Sequence, residues 1–80
     1  MTRSPRTFAV FGFNSTHDAL DAEKLLGDLG IDVVPIPAPK TIGSQCGIAL
    51  RLELAEEDRA VGYLDAAGIV VAALVRIEDV

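Results

Sequence analysis

The chain of 80 residues has no tryptophan, one cysteine and one histidine, and only seven Lys and Arg against twelve Asp and Glu. Each scarcity excludes something. A lone cysteine cannot form an internal disulfide or a multi-cysteine metal site. One cysteine and one histidine leave too few ligands for a closed zinc site, so no metal and no cofactor is implied. A net charge of −5 argues against nucleic acid and anionic membrane surfaces, which call for clustered Lys and Arg. The basic residues are scattered; only Arg3 and Arg6 lie close, in residues 1–6, a stretch expected to be a disordered tail. No apolar run reaches the roughly 20 residues of a membrane span. The apolar stretch after the tail is short and broken by Gly12, Asn14, His17 and Asp18, unlike a signal peptide. One free thiol without an export signal points to a reducing, cytoplasmic setting.

Half of the residues are apolar, enough for one small globular domain spanning 1–80. The core is expected to be Leu, Val, Ile and Ala. Thr7 to Phe13 reads as a strand apolar on both faces. Ser15, with Asp18 three residues on, opens a helix as a capping box in its weaker Asp form. Ala19, Ala22, Leu26 and Leu29 share one helical face, with Leu25 beside them, and Gly30 ends the helix. Ile31 to Pro39 is extended, and its alternating Pro35, Pro37 and Pro39 confine it to a sheet edge. Lys40 to Gln45 connects to an alternating strand, Ile48 to Leu54. Ala55-Glu56-Glu57-Asp58 starts a second helix as a solvated acidic turn that suits the helix dipole. Ala60, Leu64 and Ala67 line that helix's inner face, and Gly68 stops it. Ile69 to Ile77 is the last strand.

The order β-α-β-β-α-β predicts an α+β fold, a ferredoxin-like sandwich. It has an antiparallel sheet in the order 4-1-3-2 and two helices on one face. This topology brings the end of the first strand, the start of the first helix and the start of the third strand to one end. Cys46, in Ser44-Gln45-Cys46-Gly47, then lies close to Ser15, Thr16 and His17. Unpaired N–H groups and the partial positive charge of a helix N-terminus favour a thiolate. His17 could add charge or shuttle a proton, the Ser15 and Thr16 hydroxyls could donate to sulfur, Gly47 allows close approach, and Lys40 could add charge. Each also has a plainer reading: Cys46 as packing, His17 as a solvated residue, Ser15 and Thr16 as caps, Gly47 as a bulge.

The residues Phe13-x-Ser15-Thr16-His17-x-Ala19-Leu20-x-x-Glu23-Lys24-Leu25-Leu26, then Gly30-Ile31, Val34-Pro35-Ile36-Pro37 and Cys46-Gly47-Ile48-Ala49-Leu50-Arg51 carry a resemblance. Over about positions 11 to 54 the chain resembles the selenium/sulfur carrier-like proteins, small single domains with a Cys-Gly motif. The resemblance implies a carrier more than an enzyme. Cys46 would hold a persulfide or selenopersulfide, taken from a donor protein and passed to an acceptor. It needs no resolving cysteine nearby, since a neighbouring thiol would discharge the persulfide as a disulfide.

A second reading is a non-catalytic regulatory or interaction module of the same fold. The expected open sheet face, carrying Phe11, Ala72 and Leu74, would invite a homodimer. A redox-sensing thiol is a third reading. Glu23 has Lys24 and Arg51 as candidate partners.

Overall fold

The computed structural model describes residues 6–39 and 47–79. The chain runs β1 (Arg6–Gly12), α1 (Thr16–Asp28), β2 (Val33–Pro37), β3 (Ile48–Glu53), a single 3-10 turn (Leu54–Glu56), α2 (Glu57–Ala66) and β4 (Ala73–Asp79). The strands form one sheet in the order β2-β3-β1-β4, with every neighbouring pair antiparallel. This is the expected 4-1-3-2 order read from the other edge.

Register decides which side chains meet the helices, because side chains alternate along a strand. Phe11 lies opposite both Leu50 and Leu74, and Ala9 lies opposite Leu52 and Arg76. Ala9, Phe11, Leu50 and Leu52 are buried in one cluster with Ala19, Ala22 and Leu26 of α1 and Ala60 and Leu64 of α2. Both helices therefore cover this face, and their alanines let them lie close to the sheet. Phe11, expected on the open face, is instead fully buried under the helices. Leu74 shares that side, and Ala72 lies before β4. The opposite face carries Phe8, Val10, Ala49, Val75 and Ile77. Its centre is already out of water: Val10 and Ala49 are fully buried, and the Arg51 guanidinium lies 4.6 Å from the Phe8 ring centroid. Arg51 is thus on the face away from α1, which removes it as a partner for Glu23.

Both helices end in the same way. Gly30 and Gly68 have φ of 84° and 77°, a region that L-residues with a Cβ avoid. Ile31 N–H donates to the Leu26 carbonyl and Gly30 N–H to that of Gly27, at 2.9 and 3.1 Å. Ile69 and Gly68 donate to Leu64 and Asp65 at the same two distances. These are Schellman motifs, closed by an apolar contact after the glycine. Each reverses the chain and returns an isoleucine toward the core; Ile31 is 1% exposed. Leu29 and Ala67, expected on inner faces, are the exposed cap residues of these turns.

β2 is an edge, as its prolines require. Ala38 N–H donates to the Gly47 carbonyl at 3.0 Å, so by alternation Val34 and Ile36 also point their N–H groups at β3. Pro35 and Pro37 point outward, where a missing N–H costs no ladder bond. The last strand starts later than its apolar run suggests. Ala72 N–H reaches the Gly12 carbonyl at 2.9 Å, but beyond Gly12 the β1 backbone leaves for α1, so residues 69–72 have no ladder to join. β3 likewise stops at Glu53, and Leu54 is 37% exposed in the 3-10 turn.

Two glycines allow a controlled comparison. A Cβ added at Gly27 or Gly30 would meet nothing within 4 Å, so only backbone conformation separates them. Gly27→Ala is expected to stabilise the protein by about 0.5–1 kcal/mol. Gly30→Ala is expected to destabilise it by about 1–2 kcal/mol. Urea unfolding of the two variants against the native chain measures both.

Candidate functional site

One end of the sheet gathers the elements that the sequence singled out. β1 ends at Gly12, which lies opposite Ala49 of β3 and Ala73 of β4. Three residues past Gly12, Ser15 caps α1, and two residues before Ala49 stands Gly47. The α1 N-terminus and Gly47 therefore leave the sheet at the same end. Gly47 is exposed, and its carbonyl is held by the Ala38 N–H. Cys46 and Lys40 lie outside the described residues.

The expected binding residues take different places. Ser15 is extended and its Oγ accepts from the Asp18 N–H at 3.1 Å, so it caps one of the helix's orphan donors. Asp18 sits in the first turn, where its charge opposes the helix dipole. Thr16 is exposed as the first helical residue. The His17 side chain is 84% exposed and lies along the helix, with Nε2 3.2 Å from Asp21 Oδ2. Gly47 and the helix start thus share an end of the sheet, while His17 is engaged one turn further along α1. Among the described residues no group of three or more His, Cys, Asp or Glu side chains is placed to hold a metal. Among the described residues no helix is long and apolar enough to cross a membrane.

Two features escaped the sequence reading. Glu57 is not a solvated acid. It continues the inner stripe of α2, three residues before Ala60 and seven before Leu64, and is 9% exposed. Both its oxygens accept from Arg76 of β4: Nε to Oε1 at 3.2 Å and Nη2 to Oε2 at 2.9 Å. This hydrogen bonding holds the Arg76 pKa above its ordinary value, and the bidentate geometry ties α2 to β4. The periodicity of Glu57, Ala60 and Leu64 was the available signal. Nearer the solvent, Arg59 pairs with Glu56 at 2.6 Å and lies 5.9 Å from the Tyr63 ring centroid. The second feature is an open apolar hollow at the same end of the sheet as Gly47. It is lined by Val61, Asp65, Gly68, Ile69, Val70 and Val71.

A family model described as "Putative Se/S carrier protein-like" matches residues 8–76. That stretch takes in both helices, all of β2 and β3, and Cys46. Comparison with curated proteins and with solved structures gives no significant match.

The geometry separates the roles of two first-turn residues. Ser15→Ala should cost roughly 0.5–2 kcal/mol of stability through the lost cap. His17→Ala, removing an exposed pair, should change stability by less than about 1 kcal/mol. Chemical denaturation of the two variants reads the difference, and an equal loss would overturn the assignment.

Proposed function

The chain belongs to the Se/S carrier-like family, and from that premise we propose that it carries sulfur or selenium on Cys46 as a persulfide or selenopersulfide. The carrying observation is the family match across residues 8–76, which encloses the only cysteine of the chain. We read the fold as a ferredoxin-like sandwich whose end holds the thiol, and the setting as the reducing cytoplasm.

The structure supports this reading through the frame around residue 46. Cys46 is one peptide bond, about 3.8 Å between Cα atoms, from Gly47, which is exposed and fixed to β2. The α1 N-terminus leaves the sheet at the same end, and its dipole favours an anion. Ser15 holds that helix start in place, Thr16 offers a hydroxyl, and Gly47 leaves the thiol's flank uncrowded. We keep His17, paired with Asp21 at 3.2 Å, among the residues of the site.

The chemistry balances without an added oxidant. The Cys46 thiolate attacks the outer sulfur of a donor protein's persulfide. A sulfur–sulfur bond forms at Cys46, the donor's own sulfur–sulfur bond breaks, and the donor leaves as a thiolate. An acceptor nucleophile then attacks the outer sulfur on Cys46, which leaves as the thiolate it began as. Selenium would move by the same exchange. A single thiol suits this cycle, because no second cysteine can discharge the carried atom as an internal disulfide.

Intact-mass measurement after mixing with cysteine persulfide tests the reading. The native chain should gain one sulfur atom and lose it to a second thiol, and Cys46→Ser should gain none while unfolding at the same urea concentration. Alkylation of Cys46 should follow an apparent pKa below the roughly 8.5 of a free cysteine. A folded chain that takes up no sulfur sinks the proposal.

A further inference from the structure

The apolar hollow and Gly47, the chain neighbour of the proposed thiol, lie at one end of the sheet. Gly47 stands two residues before Ala49, and Val71 two residues before Ala73; Ala49 and Ala73 are the two partners of Gly12. The strands β3 and β4 are separated by β1 alone, so Ala49 and Ala73 stand about 10 Å apart across the sheet. The hollow lies between the second half of α2 and the segment that follows it. Val61 and Val70 there are 39% and 61% exposed, and Asp65 is the only charged residue of the lining. At about 310 Å³ it is at the small end of ligand sites, a size for side chains rather than for a cofactor.

Resting on the carrier reading, we propose that this hollow docks the partner protein of the sulfur exchange. It takes an aliphatic side chain beside the partner's persulfide, with a Lys or Arg next to it meeting Asp65. The occupant follows from the lining and the charge. Valine and isoleucine walls gain from an apolar side chain. Asp65, in a chain of net charge −5, selects a cationic neighbour. The location supplies the purpose: a partner seated there meets the end of the sheet where Gly47, the chain neighbour of Cys46, leads into β3. The Cys46 thiolate then attacks the outer sulfur, a sulfur–sulfur bond forms on Cys46, and the partner leaves as its thiolate.

Two synthetic peptides carrying a cysteine persulfide test this, one with Leu and Lys beside the cysteine and one with Ser at both places. Transfer to Cys46 from the Leu–Lys peptide should be about tenfold faster, and Val70→Asp should remove the advantage. Free cysteine persulfide should load the native chain and Val70→Asp equally. Failure of free cysteine persulfide to load Cys46 would strike the carrier reading itself. Normal loading with equal rates for the two peptides would strike only the docking. A separate titration follows the backbone amides of Cys46→Ser with a cysteine-free Leu–Lys peptide. It should give saturable shifts at Val61, Asp65 and Gly68 to Val71. No saturable shift, shifts centred on Val75 and Ile77 of the other sheet face, or concentration-dependent shifts without peptide that mark a second copy in the hollow would each overturn the proposal.

Discussion

Everything in this fold depends on β1 being buried on both faces and paired on both edges. Its Ala9 and Phe11 anchor the helix-side core, while Val10 is withdrawn from water on the other side. Its two edges recruit β3 and β4. Gly12, where it ends, faces Ala73, the first residue of β4, and Ala49, the second residue of β3. In a chain this small, one strand that fixes two neighbours and two layers supplies much of the order that a larger core would distribute. The end of β1 is also where α1 starts, so the proposed site inherits its position from the most constrained segment.

Much of the fold was legible because its signals are local. A two-sided apolar strand must be central, a strand with alternating prolines must be an edge, and a glycine after an apolar stripe ends a helix. The sheet order came from the β-α-β-β-α-β element order, and the first two of these facts fit it. What escaped was decided by partners distant in sequence. Residues 69–72 read as strand by composition but have no ladder beside them, because β1 has already turned into α1. Phe11 was placed on the wrong face because parity gives two faces without saying which one the helices cover; the register with Leu50 decides it. Glu57 read as a solvated acid because its partner, Arg76, lies 19 residues away.

Part of the frame around the candidate site was legible for the same reason. Ser15 as a cap and the shared end of Gly47 and the helix start follow from topology. His17 was harder, since its pairing depends on which way one side chain turns, and it turns to Asp21. The hollow could not be read from sequence at all, because valines and isoleucines after a helix look like strand or core. Only the reversal at Gly68 shows that they form a wall.

The proline edge also changes how the protein would look to an exchange experiment. The β2 residues that point outward are Val33, Pro35 and Pro37, and the prolines have no amide hydrogen to exchange. The amides that β2 does carry at Val34 and Ile36 point inward at β3. Read by deuterium uptake, this outermost strand would therefore pass for an interior one along most of its length. Only Val33 would betray that water lies on its other side.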